Sequence, residues 1–350
     1  MNLLLIASHA IAEYDDVRMF SDMGVDVFAP GGYEVPSAPG EAMRPALPHA
    51  PHHPDLVDAC NEQRDRHGSD LIPGLGNAVD WAKADLHPDV LDWADTIVLH
   101  HFPEIWLIPQ WARLRDKRVI WRTCGQSTPP LEEMLEPLVD DGLQVIRYSP
   151  KEREAFRAFG AFAGETAMIR FGKYPADYGP WIGDELVVGN VTQNMVKRNE
   201  AVGLGTWLEV TDGLPVKPAG LGSQYLPGGT GKLDYQQMLD YLRHIRAYLY
   251  TGTKPASYTL GLIEAMLSGV PVAVAPWTDW AAPLFEGSEI VEASENDPRW
   301  RLTRLLEDGS FAAEESVRMR MRATYLFGIE SVSRQWADFL GVPVRELVAA

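Results

Sequence analysis

The sequence predicts an α/β protein built as two doubly wound, parallel-sheet domains, and three observations carry that reading. Apolar β-type runs alternate with helical patterns almost from end to end, which is how parallel sheets with crossover helices read in sequence. At 350 residues the chain exceeds the size of one core. Its character also breaks once, between Arg170 and Asp184, where the run FGKYPADYGPWIGD separates two α/β halves. The expected divisions are an N-terminal domain at 1–175, a C-terminal domain at 185–328, and a helical tail at 329–350.

In the first half, strands are expected at 3–7, 25–29, 96–100, 118–122 and 144–148, each a short apolar run followed by a helical pattern. Residues 30–54 carry Pro36, Pro39, Pro45, Pro48, Pro51 and Pro54, which deny the segment regular structure and suggest a lid or acceptor loop. The second half restarts with a strand at 186–189, a helix at 194–211, and strands at 216–221, 247–251 and 270–275. Beyond Pro298 the pattern is mostly helical. Its last segment, 331–340, has apolar residues at helical spacing and is expected to pack back on the N-terminal domain.

Composition narrows the function classes. Hydrophobic residues make up 46% of the chain and charged residues 23%, as in a globular protein rather than a disordered one. No apolar run is long enough to cross a bilayer, and the start lacks the basic region of a signal peptide. Cys60 and Cys124 lie too far apart for a metal or redox motif, so a reducing, cytoplasmic setting is expected. The net charge of -18 argues against broad wrapping of nucleic acid, while short basic runs such as Arg113, Arg115, Lys117 and Arg118 leave room for a local groove. Residues 8–14 lack the glycine fingerprint of an NAD-binding enzyme.

The most informative stretch is 248–276. It reads as a buried strand, a polar loop at 251–257, an amphipathic helix at about 258–267, Gly269 as helix stop, and a second buried strand. Such a unit delivers backbone N–H groups and the positive end of a helix dipole to one point, which suits a diphosphate. Thr253, Lys254, Ser257, Tyr258, Thr259 and Leu260 stand at that point. Glu264 lies farther along the helix, where a carboxylate can accept hydrogen bonds from both ribose hydroxyls.

These residues resemble the GT-B glycosyltransferases related to family 4, whose C-terminal domains carry a Glu, seven residues, and then Glu-Ala-x-x-x-Gly-x-Pro-Val. Glu264, Ala265, Gly269, Pro271 and Val272 stand in that pattern. The resemblance implies two Rossmann-like domains facing across a cleft, a nucleotide-sugar donor of the UDP or GDP type, and a retaining transfer. It also implies that Lys197 and Arg198, in GNVTQNMVKRNE after the first strand of this half, meet the donor phosphates and stabilise the leaving group, and that Gly222 and Tyr225, in GLGSQY after its second strand, lie where the nucleobase binds. Two positions depart from the family pattern. Ala256 occupies the place of the family's first Glu, which contacts the donor sugar, and Asn190 replaces the Arg that usually follows the glycine of the first C-domain strand. No Asp-x-Asp falls at a strand end in a donor-binding context, so no metal is expected.

The acceptor is expected on the N-terminal half. His9, His100, His101 and the run WRTCGQST, with Arg122, Gln126 and Ser127, fall at carboxyl ends of strands, where ligands of open α/β sheets sit. A retaining reaction would pass the acceptor proton to a donor phosphate oxygen; an inverting one needs a base, for which His100 and His101 are the candidates. His49, His52 and His53 lack the companions of a metal site. WRTCGQST and IRYSPKE are also similar to glycosyltransferases of actinobacterial phages, some of which modify 5-hydroxymethyl-pyrimidines in DNA. The expected acceptor is therefore hydroxymethylated DNA, with a virion protein or small molecule as the alternative, and a catalytically inactive nucleotide-sugar binder as a further one.

Overall fold

The computed structural model describes residues 1–7, 10–30, 47, 50–67, 79–80, 85–292 and 297–343. His9, His49 and most of the Pro-rich segment lie outside the described residues. The chain packs into two compact units, one formed by Met1–Gly172 and Ile329–Ala350, the other by Lys173–Gly328.

The first unit runs β1 (Asn2–Ile6), α1 (Ala10–Asp22), β2 (Asp26–Phe28), α2 (Pro54–His67), the antiparallel pair β3 (Val79–Asp80) and β4 (Asp85–Leu86), α3 (Pro88–Trp93), β5 (Thr96–Leu99), α4 (Pro103–Leu114), β6 (Arg118–Arg122), α5 (Pro129–Asp140), β7 (Gln144–Arg147), α6 (Pro150–Phe159) and β8 (Ala167–Met168). Six of these strands form one parallel sheet in the order β2-β1-β5-β6-β7-β8. β5 is buried along its whole length, because helices cover both faces, and this is why it reads as an unbroken apolar run. Pro88, Pro103, Pro129 and Pro150 each open a helix, where the missing N–H costs no hydrogen bond. One face of the core joins Trp106 and Leu107 of α4 and Leu135 of α5 to Ile97, Leu99, Val119 and Trp121 of the sheet.

The terminal helix, Ile329–Leu340, belongs to this unit. Trp336 is fully buried, its ring edge-on to Phe20 of α1 at 5.1 Å. Arg118 donates to the carbonyls of Phe339 (2.7 Å) and Leu340 (3.3 Å), which the helix end leaves without intrahelical partners.

The second unit contains β9 (Glu185–Val191), α7 (Met195–Arg198), α8 (Leu204–Thr211), β10 (Val216–Ala219), α9 (Tyr235–His244), β11 (Ile245–Tyr250), α10 (Leu260–Leu267), β12 (Val272–Val274), α11 (Gly287–Val291), α12 (Pro298–Glu307) and α13 (Gly309–Phe327). Its sheet is parallel, in the order β10-β9-β11-β12. α9, absent from the sequence reading, opens with a capping box between Asp234 and Gln237.

The structure corrects the helix expected at 194–211. Asn199 (φ 43°) and Gly203 (φ 67°) break it into α7, a turn of 3-10 helix and α8. A Cβ on Gly203 would lie 3.1 Å from Cβ of Thr251, so the break lets this segment approach the loop after β11. The expected strands 216–221 and 270–275 are also shorter than read, ending where their loops begin. Among the described residues no helix is long and apolar enough to cross a membrane.

Candidate functional site

In a doubly wound sheet, ligands settle beyond the carboxyl ends of the strands where the strand order reverses. In the second unit β9, first in the chain, lies between β10 and β11, so the reversal falls at β9 and β11. Three loops meet there. The N–H of Asn194 donates to the Leu221 carbonyl (2.6 Å), and the N–H of Leu221 to Gln193 Oε1 (2.8 Å). On the other side, Lys254 N–H donates to the Ala201 carbonyl (2.8 Å), and Thr251 Oγ1 to the Val202 carbonyl (2.8 Å). The loops holding Lys197 and Arg198, Gly222 and Tyr225, and Thr253 to Leu260 are thereby tied into one rim.

Each candidate of this unit can be located on the rim. Lys197 and Arg198 are exposed on α7. Gly222 adopts φ 84°, and Tyr225 is 77% exposed. Gly252 adopts φ 78°, and a Cβ there would lie 2.5 Å from the Trp277 ring, whose Nε1 donates to the Thr251 carbonyl (2.9 Å). Trp277 thus floors the loop. Lys254 is held by Asp279, and that hydrogen bond keeps the Asp279 carboxyl below its ordinary value. Ser257 is buried and its carbonyl accepts from Glu286 N–H (3.0 Å). Tyr258 is 1% exposed, its ring 5.3 Å from Phe327. Thr259 is the N-cap of α10 and Leu260 its first residue, and the Thr259 side chain makes no capping hydrogen bond.

Glu264, on α10, is only 4% exposed. Its Oε1 accepts from Lys173 Nζ at 3.0 Å, and the Tyr178 hydroxyl lies 3.5 Å from the same oxygen. Asn190 is buried and serves the sheet: its amide donates to the Leu249 carbonyl (2.8 Å), and its Oδ1 accepts from Thr192 (2.5 Å). Ala256, 7% exposed, forms an isolated antiparallel bridge with Thr253.

In the first unit the strand order reverses between β1 and β5. His100 and His101 follow β5, with exposures of 1% and 6%. His100 Nε2 lies 3.1 Å from Asp16 Oδ2, and the same carboxylate oxygen takes the Arg122 guanidinium. Burial, with Arg122 adding to it and Asp16 opposing, holds the His100 imidazole below its ordinary value. Burial would raise the Asp16 carboxyl, but Arg122 and His100 outweigh it and hold it low. At neutral pH the group is therefore a neutral imidazole, a carboxylate and a guanidinium.

His100 also lines a cavity of about 80 Å³ with Phe102, Glu104, Trp121, Cys124 and Gln126. Ser127 and Leu131 complete its wall on the α5 side. His100 Nδ1 and Glu104 Oε2 are buried and meet no hydrogen-bond partner among the described residues. Gln126 is exposed, whereas the Ser127 hydroxyl is committed to Glu132 Oε1 (2.7 Å). Arg122 is buried and held by Asp16 and by the Arg170 carbonyl (3.1 Å), so its place is behind the cavity, supporting His100. Asp16 and Glu104 were not among the sequence candidates; they sit in α1 and α4, where helix position alone gives no sign of a buried charge.

No family model matches the chain, and no curated protein matches it. Solved structures do. Sucrose-phosphate synthase from Thermosynechococcus elongatus is 12% identical, with a TM-score of 0.62 over 97% of this chain and 98% of that one. HepE of Anabaena in complex with UDP-glucose is 14% identical, with a TM-score of 0.62 over 97% and 99%. A T4 phage BGT mutant in complex with UDP-glucose is 12% identical, with a TM-score of 0.50 over 97% and 98%. Likeness at these identities establishes the fold, the two-sheet α/β architecture of GT-B glycosyltransferases, over nearly the whole chain.

Proposed function

We propose that the protein is a glycosyltransferase that moves a sugar from a nucleoside diphosphate donor to an acceptor hydroxyl. The observation that carries this reading is Glu264 on α10, whose N-terminus sits with two further loops at the strand-order reversal of the second unit. In this reading the N–H groups opening α10, with Thr253, Ser257 and Thr259, hold the diphosphate. Lys197 and Arg198 neutralise charge on the leaving group, Glu264 takes the ribose hydroxyls, and Gly222 and Tyr225 flank the base. UDP-glucose in two of the similar structures supports a UDP-sugar ahead of a GDP-sugar.

The first unit supplies the acceptor site, with Gln126 and the cavity beside His100 as its described part. A neutral His100 with its Nε2 facing Asp16 offers Nδ1 to a hydroxyl in that cavity. His100 takes the hydroxyl proton as the oxygen bonds to the anomeric carbon, and the bond to the diphosphate breaks. Inversion follows, a reading favoured by Ala256, which withholds the carboxylate that the resemblance links to retention. The acceptor proposed is a 5-hydroxymethyl-pyrimidine in DNA. A protein or small-molecule hydroxyl is the competing reading, supported by the net charge of -18.

Incubating the protein with UDP-sugars and GDP-sugars, with and without hydroxymethylated DNA, tests both levels. Acceptor-dependent release of nucleoside diphosphate supports the transferase. Donor binding without release under any combination would instead favour an inactive nucleotide-sugar binder, for which Ala256 and Asn190 are the motive.

A further inference from the structure

Lys173 has a feature that the donor site as described does not use. Its side chain is 1% exposed and its Nζ lies 3.0 Å from Glu264 Oε1. Its backbone is fixed as well, since Lys173 N–H donates to the Phe327 carbonyl (2.8 Å) beside an isolated parallel bridge to Gly328. A flexible side chain delivered in this way has one orientation to keep.

We propose that Lys173 is a positioning residue of the donor site: its ammonium keeps the Glu264 carboxylate ionised and oriented for the ribose hydroxyls. The inference rests on the donor reading above. A buried carboxylate without a counter-charge takes up a proton. A protonated carboxyl must donate through one oxygen, so it no longer accepts from two hydroxyls at once. Three neighbouring polar groups do not replace the ammonium. The Tyr178 hydroxyl is neutral, and the Tyr248 hydroxyl of β11 accepts from Val191 N–H (3.0 Å), with its acidity suppressed by burial. Arg320 of α13, the helix packed along α10, spends its guanidinium on the carbonyls of Gly179 (3.0 Å) and Tyr178 (2.9 Å).

The test is calorimetric titration of UDP and GDP, and of their 2′,3′-dideoxy counterparts, into the full chain and its K173M, K173R and E264Q variants between about pH 6 and pH 9. K173M should bind the better ribonucleotide on the order of tenfold to a hundredfold more weakly at the acid end. Its affinity should recover as pH rises and Glu264 ionises, while wild type and K173R stay flat and dideoxynucleotide binding is unchanged. A purely structural Lys173 would give a pH-independent loss shared by the dideoxy ligand, and that result overturns the inference, as does wild-type affinity in K173M. If K173M does not fold, the neutral pair K173M/E264Q replaces it. That double variant should bind no worse than E264Q alone, and an additional loss counts against the proposal. Unchanged ribonucleotide affinity in E264Q, or no binding by wild type, would defeat the donor reading itself. A weakened E264Q beside an unaltered K173M defeats only the role of Lys173.

Discussion

Nε2 of His100 lies 3.1 Å from Oδ2 of Asp16, and both side chains are buried. The pairing sets which imidazole nitrogen faces the carboxylate, and His100 itself lines the cavity. His100→Gln should lower kcat by about 10²- to 10⁴-fold while nucleotide affinity stays within about twofold, measured by steady-state kinetics and titration. Because burial depresses the imidazole, the acid limb of the kcat profile should lie below the ordinary histidine value of 6.5. Equal loss of nucleotide affinity in H100Q would mean that His100 does not act on the acceptor.

Replacing Lys197 and Arg198 together by Ala should reduce kcat by on the order of 10²-fold, because their charge counts most as the diphosphate departs. Acceptor KM should change little. A rise in acceptor KM with kcat intact would place the two cations on the other substrate.

Gly252→Ala places a Cβ 2.5 Å from the Trp277 ring at a residue with φ 78°. The loop or the tryptophan must move, at a cost of about 1–3 kcal/mol. Donor affinity should fall along with thermal stability. Intact affinity in a stable G252A would show that the floor of the loop is dispensable for the donor.

Glu152 gives a stability prediction with a defined sign. Burial pushes its carboxyl from 4.5 up to about 8, with Arg147 and the Thr123 hydroxyl (2.5 Å) opposing. A value raised in the folded state means that the folded protein binds the extra proton, so this contribution is complete below 4.5 and is lost as pH rises to about 8. Glu152→Gln removes the dependence. The Tm of E152Q relative to wild type should therefore climb across that window, by several degrees, and a constant Tm difference would contradict the assignment.

How much of this was legible in the sequence depends on the distance over which each feature is built. The parallel strands could be read because burial on both faces leaves runs such as Ile97–Leu99 purely apolar. The strand, loop and helix that carry Glu264 could be read because they are contiguous. Lys173 could not, since its partner is 91 residues away, and Arg122 read as a ligand contact because nothing local announces Asp16, 106 residues away. The helix expected at 194–211 failed for a related reason. Its break at Gly203 answers the approach of Thr251, which periodicity does not register. The pairing of Glu264 with Lys173 also makes Glu264→Gln a better probe than Ala, which would strand a buried ammonium.

Sugar transfer by this protein should depend on Glu264. Mass spectrometry of hydroxymethylated DNA and candidate proteins, after incubation with mixed UDP- and GDP-sugars and either wild type or E264Q, tests it most directly. Wild type should give an acceptor carrying one added sugar and a matching release of nucleoside diphosphate, both strongly reduced in E264Q. Absence of any sugar adduct with wild type, or equal transfer by E264Q, would contradict it.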